Sequence, residues 1–143
     1  MPKLILFAAC EKVITDTEGL VSLITLIEKL EVSVPSSIEL PPRTAVPMRW
    51  QTLSVWQIDQ ADMGQYEQTT DLVVQDGTIA MHTEPKRLES SLAGRTGVKI
   101  TGTLTAVPIT DGPLRLRLSY RKIGEQDWIE VAEYPVTVSL VRT

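Results

Sequence analysis

Strict alternation of apolar and polar residues over the last third of the chain limits the fold more than any other feature. Leu114, Leu116, Leu118 and Tyr120 alternate with Arg115, Arg117, Ser119 and Arg121. Val98, Ile100, Gly102, Leu104 and Ala106 oppose Lys99, Thr101, Thr103 and Thr105 in the same way. Two further runs, Ile129 to Ala132 and Val136 to Leu140, keep the period of two. A two-residue period places every second side chain on one face, the pattern of a strand with one side buried and one side wet. Four strands are therefore expected between residues 98 and 142. They are separated by turn chemistry at Asp111-Gly112-Pro113 and Lys122 to Glu125, and by Pro135, a residue that marks a strand start or an edge.

The middle of the chain continues the pattern at 48–58 and 66–75. Asp76-Gly77 then predicts a hairpin that returns 66–75 onto 78–82. Pro35, Pro41, Pro42 and Pro47 describe a connection between sheets over 35–47, since proline removes a ladder donor and cannot sit in a central strand. Pro85, Leu88, Leu92 and Gly94 suit one short helix near 86–93. Residues 20–34 carry both a helical face and β-branched character, and are read as strand. The whole of 1–143 is expected to form one all-β domain. The form predicted is an antiparallel β-sandwich of about 8–9 strands, Ig-like or C2-like. A chain of 143 residues with 43% hydrophobic and 22% charged residues can bury such a core unaided.

The N-terminal run is different. Leu4, Leu6 and Ala8 lie on one face and Ile5, Phe7 and Ala9 on the other, so this strand demands cover on both sides. Either a loop of the same chain wraps it or another subunit buries it. The run ends at Cys10 and loosely imitates a lipoprotein signal, but its apolar core is too short and almost no positive charge precedes it. A cytoplasmic location is expected. One cysteine allows no internal disulfide, and a net charge of −4 gives no electrostatic footprint for nucleic acid or an anionic membrane.

Pro2-Lys3-Leu4 through Cys10-Glu11-Lys12-Val13-Ile14, the turn to Gly19 and Ser22-Leu23-Ile24 resemble a bacterial family of conserved proteins of unknown function. The resemblance extends through Trp50, Trp56, Asp76-Gly77 and Gly112-Pro113-Leu114. It implies a compact β-sandwich in bacteria or their phages and carries no catalytic residues to transfer.

Residues that carry chemistry are sparse. Lone His82 and lone Cys10 do not build a usual zinc site, and Cys10 at the end of an apolar run reads as a buried thiol, not a nucleophile. No serine sits in a nucleophile elbow. Gly94-Arg95-Thr96-Gly97-Val98-Lys99 lacks the phosphate-loop spacing and leads into a strand. Asp59, Asp62, Glu67 and Asp71 offer oxygens but not the twelve-residue calcium loop, and read as a solvated acidic hairpin. No catalytic residue, cofactor, metal or small molecule is assigned. The expected function is a non-catalytic binding or structural module acting through protein contacts, oligomeric or part of a bacterial or phage assembly. Leu4, Leu6, Phe7, Trp50, Trp56, Arg115 and Arg117 are its candidate contact residues, with Lys99 placed beside the arginines. Trp50 and Trp56 share one face of their strand and suit the core better, becoming interface anchors only if exposed. Two alternatives remain open: a small enzyme or ligand-binding protein using His82 with nearby carboxylates, and a calcium-assisted surface module.

Overall fold

The computed structural model describes residues 1–41 and 44–143, so Pro42 of the expected crossing lies outside the described residues. The strands are β1 (Lys3–Thr15), β2 (Val21–Leu26), β3 (Lys29–Val34), β4 (Ala45–Gln57) and β5 (Tyr66–Val73). They continue as β6 (Ile79–His82), β7 (Lys86–Arg87), β8 (Gly97–Pro108), β9 (Gly112–Lys122) and β10 (Ile129–Arg142), with a single 3₁₀ turn at Gln60–Asp62. One sheet runs β2-β1-β4-β8 and the other β3-β10-β9-β5-β6, with β7 also on β5. The fold is all-β and sandwich-like. No helix among the described residues is long and apolar enough to cross a membrane.

The alternating residues meet between the sheets. Leu114, Leu116, Val136, Val138, Leu72, Leu104 and Trp50 form one buried cluster, and Trp56, Ile58, Leu88, Val98, Leu118 and Tyr120 a second. Phe7 packs against both. One polar latch spans the sheets, where the Gln68 Oε1 accepts from Ser54 Oγ at 2.6 Å and from Trp56 Nε1 at 2.7 Å.

Several expectations need correction. Residues 98–142 hold three strands and not four, because the runs expected at 129–132 and 136–140 are one strand, β10, which continues through Pro135. β3 pairs with β10 only from Thr137 onward, so the side of Pro135 away from β9 needs no ladder donor. The sandwich is not wholly antiparallel, because β3 runs parallel to β10 from Lys29↔Thr137 to Val34↔Arg142. Residues 20–34 are β as expected, but they form two strands in different sheets. Glu28, at the corner between them, accepts from Thr137 N through its carbonyl. Residues 86–93 form no helix. Lys86 and Arg87 pair with β5, and backbone bonds from Leu88 to Tyr66 and from Gly64 to Leu88 fix Leu88 in the core while Leu92 stays exposed. Pro47 lies inside β4, a central strand. It is tolerated because β1 pairs with β4 only over Gln51–Gln57, and the β8 side is bulged between Pro47 and Trp50.

The doubly apolar strand is resolved within the chain. A bulge at Ile5 separates Leu4↔Trp56 from Leu6↔Val55, so Leu4 joins Phe7 and Ala9 on the inner face, while Leu6, Ala8 and Cys10 face outward. This differs from the strict alternation expected. Ala8 and Cys10 nevertheless have 5% and 0% exposure, as does their outward neighbour Leu53 at 2%. Their cover is the β1–β2 hairpin. Lys99 aligns through Val55 with Leu6, and Thr15 lies nine residues farther along β1, about 30 Å away in a flat sheet. Yet Lys99 Nζ donates to the Gly19 carbonyl at 2.7 Å, just beyond Thr15. The far half of the hairpin therefore curls back over the outer face of β4, where the outward Gln51 Oε1 accepts from Val13 N at 2.6 Å.

Candidate functional site

The outer face of the β5–β9–β10 sheet carries the arginines. Because β9 alternates, its inward leucines force Arg115, Arg117, Ser119 and Arg121 outward together. Register then supplies each arginine with a carboxylate. Arg117 meets Asp71 at 3.1 Å, Arg121 meets Glu67 at 2.8 Å and Arg115 meets Glu133 at 3.0 Å. The first two pairs are half-buried and the third is exposed. Lys99 is not among them, since it lies on the opposite sheet. Arg121 also stacks on Trp128, its guanidinium carbon 4.0 Å from the ring centre.

A groove of about 550 Å³ opens on this face, bordered by Asp71, His82, Arg117, Arg121, Trp128 and Glu130. His82 stands opposite Asp71 in the β5–β6 register. The sequence singled out His82 and the arginines but missed Trp128 and Glu130. The available signal was the short turn between Arg121 and Ile129, which returns Trp128 toward the end of β9.

The other expected contact residues divide between core and surface. Trp50 and Trp56 are both 0% exposed and belong to the core, not to a contact surface. Trp50 Nε1 donates to the Ala106 carbonyl at 3.1 Å, so each indole N–H finds its partner inside. Leu4 and Phe7 are half-buried against the core clusters, whereas Leu6 is 43% exposed. Cys10 and His82 lie on different sheets and form no pair; burial pushes the Cys10 thiol above its ordinary range, partly offset by a bond from the Lys12 backbone.

The four acidic residues do not gather. Asp71 and Glu67 are held by arginines, and Asp62 by the amino group of Met1 at 3.1 Å. Among the described residues, no three His, Cys, Asp or Glu side chains converge as a metal site.

A second surface is apolar. On the β1–β2 hairpin, Ile14, Ile24 and Leu26 are exposed large hydrophobics. The β1–β2 register sets Ile24 opposite Lys12, Leu26 opposite Cys10 and Ile14 opposite Ser22, so the three are neighbours on one face. Lys12 lies on the same face, and the paired stretches of β1 and β2 contribute no other charge to it. No protein family, curated protein or solved structure matches this chain.

Proposed function

We propose that the protein is a non-catalytic contact module that associates with a second copy of itself through the Ile14, Ile24 and Leu26 patch of its β1–β2 hairpin. The observation that carries this reading is the cluster of Ile14, Ile24 and Leu26, large hydrophobics exposed side by side on one strand pair. Contiguous apolar patches on a surface mark contact sites, and an isologous contact needs a patch that tolerates its own copy. The β2 half of this patch carries no charge, and Lys12 of β1, opposite Ile24, is the one charge beside it. Static light scattering over a concentration series should show a dimer or higher species, reverting to monomer in Ile24→Lys. A monomer at every concentration removes the reading.

An Ig-like form of the sandwich belongs with this proposal. The order β5-β9-β10 in one sheet and β1-β4-β8 in the other supports it, being that of strands C-F-G and A-B-E. A module of a bacterial or phage assembly, as the family resemblance implies, would use such a scaffold to present the hairpin.

The groove beside His82 favours a second reading, a binding protein for a polar ligand, because Trp128 offers a ring edge among Asp71, Glu130 and the arginines. A ligand found by screening should lose affinity in His82→Ala and Trp128→Ala. Unchanged binding in both variants removes this reading.

A further inference from the structure

The curl of the hairpin creates a second groove, independent of both surfaces above. It lies between the hairpin tip at Gly19 and the segment leading into β8, with a volume of about 550 Å³. Its cationic members are Arg95 and Lys99, and its acidic member is Glu89. Lys99 uses one donor on the Gly19 carbonyl, and an ammonium has three, so two remain. The Arg95 side chain forms no ion pair or hydrogen bond among the described residues; only its backbone is engaged, the N–H donating to the Leu92 carbonyl and the carbonyl accepting from Gln60. This sets it apart from Arg115, Arg117 and Arg121, each neutralised by a carboxylate. Hydroxyls of Ser91, Thr96 and Thr101 line the same groove. A net positive hollow stands out on a chain whose charge is −4.

We propose that this groove binds a small organic oxyanion, a molecule bearing a phosphate or carboxylate group. A free guanidinium offers paired donors in the fork geometry that both groups accept, and the ammonium adds a point charge beside it. The hydroxyls supply neutral donors, and the volume suits an organic body attached to the charged group. The segment 94–99 serves here through side chains. A helix N-terminus is not required, which is why the missing phosphate-loop spacing does not exclude it. The occupant would bridge hairpin and β8, adding to the Lys99–Gly19 contact, so binding should also raise the melting temperature.

Amide NMR titrations with pyrophosphate and with citrate, each against sodium chloride at matched ionic strength, test the site. Saturable shifts confined to residues 15–21 and 89–101 are expected, with affinity at least tenfold weaker in Arg95→Gln. A response to pyrophosphate alone assigns phosphate chemistry, a response to citrate alone assigns the carboxylate, and equal responses assign a site that takes either oxyanion. Lys99→Gln should weaken binding too, but it also releases the hairpin tip. Arg95→Gln touches no intramolecular partner and therefore decides. No saturable response beyond the salt control, or unaltered affinity in Arg95→Gln, overturns the proposal.

Discussion

Gln68 shows how one residue joins two layers. Its side-chain oxygen takes both the Ser54 hydroxyl and the Trp56 indole N–H in a buried setting, and no buried side-chain polar atom among the described residues lacks a partner. Gln68→Leu strands the buried Trp56 N–H, while the Ser54 hydroxyl retains the Ile100 carbonyl at 3.5 Å, so a loss of about 1–3 kcal/mol is expected in urea unfolding followed by tryptophan emission. Burial, the larger cause, and the neighbouring Glu28 and Cys10 push the Tyr134 hydroxyl above its ordinary 10.0, and burial raises Cys10 above 9.0. Both groups are neutral when protonated, and the folded state holds their protons to higher pH than the unfolded state does. Their stabilisation is therefore intact below pH 9 and is lost as pH rises through the folded values. Melting temperature should fall over that alkaline range, and less steeply in Tyr134→Phe. Cys10 in the native protein should resist alkylation until urea unfolds it.

Among the elements, the β1–β2 hairpin and its exit to β3 carry the strain and the shape. Thr25, near the end of β2, has φ of 55°, a left-handed conformation that a β-branched residue adopts at a cost of about 1–2 kcal/mol. It lies just before the corner at Ile27 and Glu28, where the chain leaves one sheet for the other. The corner, not local preference, imposes it. Thr25→Gly should relieve the strain and lose about 0.5–1 kcal/mol to backbone entropy, a net gain of up to about 1 kcal/mol visible as a higher urea midpoint. An unchanged or lower midpoint would show that the corner holds Thr25 without strain.

At the scale of the molecule, the sandwich acquires a partial third layer where the hairpin lies over β4. Leu53 is the test: it points away from the core between the sheets, yet it is buried. Leu53→Ala should cost about 2–5 kcal/mol, as in a core, while an uncovered outer face would register well under 1 kcal/mol. Period-two patterning at 98–142 and the Asp76-Gly77 turn determined where β structure and one hairpin lie, because side-chain alternation and turn geometry are local properties, but not that 129–142 runs through Pro135 as one strand. The need for cover over residues 4–10 was legible too, since an apolar pattern on both faces is written in the residues themselves. The Arg115–Arg117–Arg121 face could be read from β9 alone, but its carboxylate partners and the approach of Trp128 depend on strands brought together from elsewhere in the chain. Tertiary structure alone decided that the cover comes from the chain's own hairpin and that Arg95 and Lys99 share a groove. Each depends on a bulge at Ile5, a corner at Ile27–Glu28 or a contact such as Lys99–Gly19 that spans 80 residues, and no local pattern encodes which distant backbone will meet it.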